Sequence, residues 1–256
     1  MALKRLKKTH RQPTLLISAP GPDFGSQSVY YEKYYQSLPC GNEDGFVSKL
    51  AHKAMERDFN ANSHFPNILE VGAGDGLHLK YINHKFELIT MTDLSVASLD
   101  KIGLSPKHNC PTENCGHHFK ALVMDAEKLE FEPEIFDRTI ASCLLLHLTN
   151  PEAALKEWKR VTKHGGYVTI YVPNEPGLLV RLGRALTTKR VANSLGYKGF
   201  DLLMAREHRN HGWGLDQMIK YVFADCEIAV APWPFRLPFF LRIFNVYQIK
   251  INKDVN

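Results

Sequence analysis

The chain has 256 residues, of which 44% are hydrophobic and 23% are charged, and its formal net charge is +5. This composition is typical of a globular protein and excludes a disordered or collagen-like chain, while no apolar run approaches the ~20 residues of a membrane-spanning helix. Five cysteines are too few for a disulfide scaffold and indicate reduced thiols, so we expect a cytoplasmic protein.

The first 64 residues divide into two parts. Residues 1–26 carry five basic side chains and then a Pro-Gly-Pro segment, which predicts a mobile, solvated leader, with an electrostatic anchor as the alternative. Residues 27–64 form a predicted N-terminal helical cap, helical over 27–60, where four tyrosines recur at helical spacing. Two of these, Tyr30 and Tyr34, are candidate substrate contacts.

Residues 65–173 alternate between strand and helix patterns. The predicted strands are Asn67–Val71, Phe86–Thr92, Phe119–Met124, Arg138–Ser142 and Tyr167–Val172. Helices are predicted over Leu77–Asn83 and from Pro151, with Asn150 as the cap and Gly165-Gly166 as the stop. This alternation predicts an α/β fold, with a parallel sheet covered by helices on both faces.

Polar or glycine-rich segments follow four of these strands. They are Gly72–Gly76, Asp93, Asp125 and Ser142-Cys143. Because ligands of parallel sheets bind beyond the carboxyl ends of the strands, we expect these four segments to converge on one crevice.

The glycine-rich turn indicates what this crevice binds. Its spacing, Gly72-x-Gly74-x-Gly76, differs from the G-x-G-x-x-G pattern that cradles a pyrophosphate. Glu70 and Asp75 flank the turn, and carboxylates there favour a ligand that carries positive charge. Asp93 follows the second strand, where a carboxylate can accept hydrogen bonds from both ribose hydroxyls. A nucleoside with a cationic substituent, such as S-adenosylmethionine, fits these features.

Together these motifs resemble class I S-adenosylmethionine-dependent methyltransferases, in the small-molecule, type 11-like group. The resemblance rests on Ile68–Gly76, Thr92–Ser95, Met124–Glu127, Leu146–Leu148 and Arg160–Gly166. It implies a Rossmann-like fold with a seven-stranded, mostly parallel sheet whose last strand is antiparallel. It also implies S-adenosyl-L-methionine as the cofactor and S-adenosyl-L-homocysteine as the product.

The resemblance further implies which residues line the cofactor. They are Glu70, Gly72, Ala73, Gly74, Asp75, Gly76, Asp93, Leu94, Ser95, Asp125, Ala126, Ser142 and Cys143. Asp93 would hold the ribose, Asp125 and Ala126 would meet the adenine edge, and Ser142 and Cys143 would lie under the sulfonium. A helix cap is the alternative role for Asp125, and a small buried residue is the alternative for Cys143.

Methyl transfer to a hydroxyl needs a general base, which is usually histidine. His147, His208 and His211 are the catalytic candidates, and a structural or surface role is the alternative for each. Asn174 and Glu175 directly follow the fifth strand and are candidate substrate-binding residues.

Residues 174–211 are interpreted as a helical insert on the substrate side. Within it, residues 178–211 hold seven basic and two acidic residues, a balance of +5, together with an apolar face. This pattern is typical of a solvated lid, of a site for an anionic or sugar-linked acceptor, or of a helix that contacts a membrane surface. Residues 212–256 are predicted to form the C-terminal helix and the last strands.

A compact group of thiols and imidazoles precedes the third strand: Cys110, Cys115, His117 and His118. Two Cys and two His could supply four zinc ligands, but adjacent histidines do not readily reach one ion. A polar covering loop is the alternative, and we predict no metal.

The sequence thus predicts a methyltransferase that acts on a small or medium metabolite, on oxygen or nitrogen. An RNA methyltransferase and a non-catalytic protein of the same fold are the alternatives. Nucleic acid is not an expected partner, because no RNA-binding appendage or aromatic stacking pattern accompanies the basic residues. The acceptor and the oligomeric state are left open.

Overall fold

A computed structural model describes residues 45–104, 118–197, 199–235 and 237–252. The predictions for the leader, for Tyr30 and Tyr34, and for Cys110, Cys115 and His117 lie outside the described residues and stay predictions.

Seven strands form one sheet in the order β3-β2-β1-β4-β5-β7-β6. Their bounds are β1 Asn67–Val71, β2 Leu88–Asp93, β3 His118–Val123, β4 Phe136–Ser142, β5 Thr162–Pro173, β6 Glu227–Trp233 and β7 Phe244–Lys250. Neighbouring strands from β3 to β5 pair in parallel, and β7 runs antiparallel to both β5 and β6. The predicted Rossmann-like fold, with an antiparallel last strand, is confirmed.

Seven α-helices lie in the described part of the chain. They are α1 Phe46–Glu56, α2 Val96–Leu104, α3 Pro151–Val161, α4 Leu178–Leu186, α5 Thr188–Ser194, α6 Phe200–Glu207 and α7 Gly212–Val222. Short 3₁₀ helices span Leu77–Tyr81 and Phe239–Leu241. Helices α4 to α6 form the predicted helical insert after β5.

Two large hydrophobic clusters bury the inner strands of the sheet. One contains Leu155, Trp158 and Val161 of α3 with Leu215 and further residues of α7, and the first three are fully buried. These three side chains, spaced i, i+3 and i+6, form the apolar face of α3. The other cluster packs α1 against β1, β2 and β4. Burying a side chain of this size contributes roughly 1.5–3 kcal/mol relative to leaving it in water.

Helix α3 ends earlier than predicted. Asn150 caps it as expected, because its side chain accepts the N–H of Ala153 at 3.1 Å. The helix stops at Val161, however, since Thr162 is already extended and pairs with Phe136 of β4. The two glycines lie instead in an irregular part of β5, where a Cβ on Gly166 would approach the carbonyl oxygen of Asp137 to 2.7 Å. Gly166 therefore permits a close backbone approach, Gly165 adopts a left-handed φ of 74°, and neither terminates the helix.

Several other predicted boundaries change, and β4 and β5, for example, begin earlier than predicted, at Phe136 and Thr162. The described part of the N-terminal helix ends at Glu56, not at residue 60. The segment after the glycine turn is a 3₁₀ helix of five residues, because Ile82 already turns to extended backbone. Strand β2 begins at Leu88, two residues after the predicted start at Phe86. No helix in the described residues is long and apolar enough to cross a membrane.

Candidate functional site

The glycine turn lies where the direction of strand order reverses. Strand β1 pairs with β2 on one side and with β4 on the other, and the turn leaves its carboxyl end. Gly72, Gly74 and Gly76 have φ of 63°, 57° and 76°, a left-handed conformation that favours glycine. A Cβ on Gly72 would come within 2.7 Å of Leu144, whereas one on Gly74 would meet nothing within 4 Å. The turn thus packs tightly on the segment after β4 and leaves open space at Gly74.

Asp93 joins this turn to the segment after β2. Its two carboxylate oxygens accept the backbone N–H of Gly74 at 3.0 Å and of Ser95 at 2.8 Å. Ala73 is buried and donates its N–H to the carbonyl of Thr92 at 2.9 Å. Leu94 follows Asp93 with its side chain 69% exposed. The structure therefore brings together the predicted residues of the first two strand ends.

Glu70, near this edge of the sheet, has a buried oxygen without a hydrogen-bond partner in the described residues. Its carboxyl is 2% exposed, and no described residue hydrogen-bonds to Oε2. Burial, together with the negative charges of Glu56 and Asp75, raises its pKa to about 8. A ligand that brings a positive group beside this carboxyl would supply the missing partner. The carboxyl groups of Glu70 and Asp93 beside the turn therefore fit the ammonium and the ribose hydroxyls of S-adenosylmethionine.

The ends of β3 and β4 border the same edge. Asp125 is exposed, and its side chain accepts the N–H of Glu127 at 2.9 Å within a turn, where no helix begins for it to cap. Ala126 is buried, and its carbonyl accepts the indole N–H of Trp158 at 3.2 Å. Ser142 and Cys143 are half-buried, and Cys143 has a φ of 57°, which is uncommon for a residue other than glycine.

A second polar group, the Glu175 cluster, consists of Glu175, Arg184, His147 and His208. His208 Nδ1 lies 2.6 Å from Glu175 Oε2. The guanidinium of Arg184 binds both oxygens of the same carboxylate, one of them at 2.6 Å. The ring of His147 meets that of His208 edge to face, with 4.9 Å between centroids. Histidine, carboxylate and arginine are thus assembled from four separate segments.

Electrostatics fixes the charge state of two members of this cluster. Burial raises the pKa of Glu175, but the hydrogen bonds from His208 and Arg184 outweigh it and lower the pKa below the usual value. Glu175 is therefore a carboxylate at neutral pH. Burial, and then the neighbouring His208, lowers the pKa of His147 to about 4, so this imidazole is neutral at pH 7.

Asn210 places the Glu175 cluster at the carboxyl edge of the sheet. Its side-chain amide donates to the carbonyls of Leu145 at 2.9 Å and Leu148 at 2.7 Å, both in the segment after β4. The N–H of Gly212 donates to the carbonyl of Glu175 at 2.6 Å. Residues 208–212 are thus tied to the ends of β4 and β5. The role of Asn210 could not be predicted from the sequence, because its partners are backbone carbonyls, which every residue carries.

Two further predicted residues have structural contacts. His211 is exposed, and its Nδ1 accepts the N–H of Gly214 at 3.1 Å, so it caps α7. Asn174 is 2% exposed and donates its amide to the carbonyls of Phe239 and of Arg242, the latter at 3.3 Å. The catalytic role predicted for His211 and the substrate-binding role predicted for Asn174 stay predictions.

A buried charged network, which sequence reasoning missed, lies beneath Glu70. Arg138 of β4 is fully buried and pairs with Glu56 of α1, with Nη2 and Oε1 2.7 Å apart. The imidazole nitrogens of His78 and His84 lie 2.9 Å from Glu56 and 2.7 Å from Arg138, respectively. Burial raises the pKa of Glu56, but the charge of Arg138 and the hydrogen bond from His78 lower it to about 2. Helix α1 is thereby joined to the sheet next to the glycine turn.

Comparison with known proteins agrees with this geometry. A family model described as a methyltransferase domain matches residues 69–170. A phosphatidylethanolamine N-methyltransferase of Cereibacter sphaeroides is 30% identical over 162 residues, which cover 60% of this chain and 72% of that protein. An uncharacterized protein of Methanocaldococcus jannaschii is 24% identical over 72% of this chain and 75% of its own length.

Solved structures share the fold. The plantazolicin methyltransferase BpumL in complex with S-adenosylhomocysteine superposes with a TM-score of 0.60 at 14% identity, over 88% of this chain and 93% of that one. A Haemonchus contortus phosphoethanolamine N-methyltransferase in complex with S-adenosylmethionine gives 0.56 at 15% identity, over 88% and 59%. With the identity to the Cereibacter protein and the matching family model, these findings show that the chain is a class I S-adenosylmethionine-dependent methyltransferase.

Proposed function

We propose that this methyltransferase acts on a hydroxyl or an amine of a small or medium acceptor that carries negative charge, with His208 as the general base. The observation that carries this proposal is the pair of Glu175 and His208, 2.6 Å apart beyond β5. In the same proposal, residues 65–173 bind the cofactor and residues 174–211 bind the acceptor.

The pair of Glu175 and His208 is suited to removing a proton. When bound, S-adenosylmethionine would supply a methyl group on a sulfonium, and an in-line lone pair on the acceptor would take the methyl carbon as S-adenosylhomocysteine leaves. An ammonium has no lone pair until it loses a proton, and a hydroxyl must lose its proton as its oxygen is methylated. The carboxylate of Glu175 accepts the Nδ1–H of His208, which fixes the tautomer in which Nε2 accepts a proton. Arg184 holds the carboxylate in place from its other side.

An anionic acceptor is supported by charge and by the named relatives. The insert carries the balance of +5 noted above, and Arg181, Arg206 and Arg209 are exposed on it. Two similar proteins are named for phosphatidylethanolamine and for phosphoethanolamine, which each combine an amine with a phosphate. A phosphate beside an amine would match a basic insert that borders a general base.

A paired acceptor panel tests this proposal. Purified protein is incubated with S-adenosylmethionine and one acceptor at a time, and products are identified by mass spectrometry. The matched pairs are phosphoethanolamine with ethanolamine and glycerol phosphate with glycerol. Phosphatidylethanolamine in micelles is tested as a further phosphate-bearing acceptor. We expect methyl transfer to a phosphate-bearing member and much less to its uncharged match. Equal transfer to both members of each pair, or transfer to RNA instead, would contradict it.

We also propose that Asp93 holds the ribose, and its replacement by alanine tests this. The change removes a charged acceptor, so S-adenosylmethionine affinity is expected to fall by about 1.5–3 kcal/mol, roughly ten- to hundredfold. Calorimetric titration measures the effect, and Asp100→Ala, an exposed aspartate on α2, is the matched control. Unchanged affinity in the Asp93 variant would refute the assignment.

We propose that Glu70 contacts the ammonium of the cofactor. Because this contact would ionise the Glu70 carboxyl, cofactor binding is expected to release a proton. With its pKa at about 8, the carboxyl is mostly protonated at pH 6.5, and a cation beside it would ionise it. An α-amino group, with a pKa of about 7.7–8.0, is already charged at pH 6.5 and takes up no compensating proton. We expect up to one proton to be released, seen as different binding enthalpies in phosphate and imidazole buffers.

Glu70→Gln supplies the control for this measurement, because an amide has no proton to release. Equal enthalpies in both buffers for the unchanged protein would rule out ionisation of Glu70 on binding.

The raised pKa of Glu70 also affects the stability of the protein in the absence of cofactor. The contribution of Glu70 is complete below about pH 4.5 and is lost as the pH rises through about 8, since the unfolded carboxyl ionises first.

A further inference from the structure

Helix α4 turns an apolar face to solvent. Leu178, Leu182 and Leu186 are 62%, 53% and 58% exposed, and their spacing of four residues places them on one side of the helix. The opposite side is occupied, since Val180 is buried and Arg184 binds the carboxylate of Glu175. One face of α4 therefore contributes to the Glu175 cluster while the other presents leucines outward.

This apolar face continues beyond the helix. The 3₁₀ helix Phe239–Leu241 packs against α4, and Phe240 within it is 62% exposed. We call Leu178, Leu182, Leu186 and Phe240 the Leu182 patch. Exposed large apolar side chains are ordinary when scattered singly, but a contiguous group of them marks an interaction surface.

Basic side chains border the Leu182 patch and indicate which kind of partner binds it. Arg181 lies between the leucines on α4, Arg190 follows on α5, and both are exposed. These arginines disfavour two other occupants of the patch. A second copy of the chain would bring the same positive charges together, and the leader, residues 1–26, is itself basic and would be repelled. A bilayer with anionic lipids complements both features, because leucines enter its interface while arginines meet its phosphates.

We propose that the Leu182 patch docks this methyltransferase on the surface of an anionic membrane. The helix lies in the interface and does not cross the bilayer, in keeping with its nine residues. Docking through this face places α4 at the membrane surface, with the Glu175 cluster on the side of the helix that faces away from the bilayer, because Arg184 on that side holds Glu175. The proposal goes beyond the proposed function, since it concerns a surface and not the acceptor's chemistry.

Vesicle co-sedimentation tests the docking. The full chain is mixed with vesicles of phosphatidylcholine alone or of equal parts phosphatidylcholine and phosphatidylglycerol. We expect binding to the anionic vesicles, and a loss of more than about tenfold in affinity for Leu182→Ser with Leu186→Ser. Arg181→Gln with Arg190→Gln is expected to cost about thirtyfold on the anionic vesicles. Tyr221→Ser, which removes a 72% exposed ring from α7, is the control and should bind normally.

Other outcomes would overturn the proposal. Equal sedimentation with and without phosphatidylglycerol, or normal binding by both double variants, would do so. A change in oligomeric state of the leucine variant, measured by light scattering, would show that the patch joins copies of the chain instead. The assay uses neither cofactor nor acceptor, so its result is independent of whether the acceptor panel succeeds. Circular dichroism checks that the variants fold.

Discussion

Replacing His208 with glutamine is expected to lower kcat by about 10²–10⁴ while S-adenosylmethionine still binds with unchanged affinity. Glutamine keeps a polar side chain of similar reach but cannot accept a proton from the acceptor. The loss should therefore appear in the methyl-transfer step, measured by single-turnover kinetics with the acceptor found in the panel. Calorimetric titration of the same variant reports the affinity for the cofactor.

Two other histidines provide controls for this experiment. His64→Gln changes an imidazole that is 48% exposed beside Glu87, and kcat should stay within a fewfold of the unchanged protein. His211→Ala removes the cap of α7, so it should cost about 1 kcal/mol of stability and leave kcat within a fewfold. A large loss of kcat in His211→Ala with normal turnover in His208→Gln would transfer the base to His211.

Replacing Arg138 with methionine is expected to lower the free energy of unfolding by about 3–5 kcal/mol, because it leaves the buried carboxylate of Glu56 with imidazole neighbours but without its arginine. The guanidinium also donates to the carbonyl of Met55 at 3.1 Å and to Thr169 at 3.2 Å, and it stacks 4.3 Å from the ring centroid of Phe59. Urea denaturation followed by circular dichroism measures the loss. Arg57→Met, at a half-exposed guanidinium, should change stability by no more than about 0.5 kcal/mol.

The loss caused by Arg138→Met should depend on pH. The folded pKa of Glu56 is about 2, below its ordinary 4.5, so its ion pairs stabilise the protein above about pH 4.5. That contribution disappears as the pH falls through about 2, and the difference between the two proteins should shrink with it. Adding Glu56→Gln to the variant should restore part of the stability, since no buried charge is then left. A loss below about 1 kcal/mol at pH 7 would show that the network contributes little.

The strands were predictable because their signals are local. Strands β1, β2 and β4 overlap the strands predicted from their local patterns, and the cap at Asn150 depends only on neighbouring residues. The end of α3 was not predictable in this way. Gly165-Gly166 is a typical helix stop in the sequence. The helix ends earlier because Thr162 pairs with Phe136 in β4, a strand more than twenty residues before it.

The same division applies to the site. The glycine turn and Asp93 are recognisable from spacing, and the structure joins them through one hydrogen bond of 3.0 Å. Arg184 appears in the sequence only as one of many basic residues, and its pairing with Glu175 follows from the position of α4. Arg138 falls within a predicted strand, where a charged residue gives no sign that it is buried.

The fold class, the cofactor family and the carboxylates around the glycine turn follow from the sequence, because periodicity, turn residues and motif spacing are local properties of the chain. Contacts between distant segments follow from packing: Glu175 with Arg184 and His208, and Glu56 with Arg138. It also decided which leucines of α4 face outward. The physical reason is that burial and ion pairing depend on distances in space, which chain packing sets and sequence separation does not reveal.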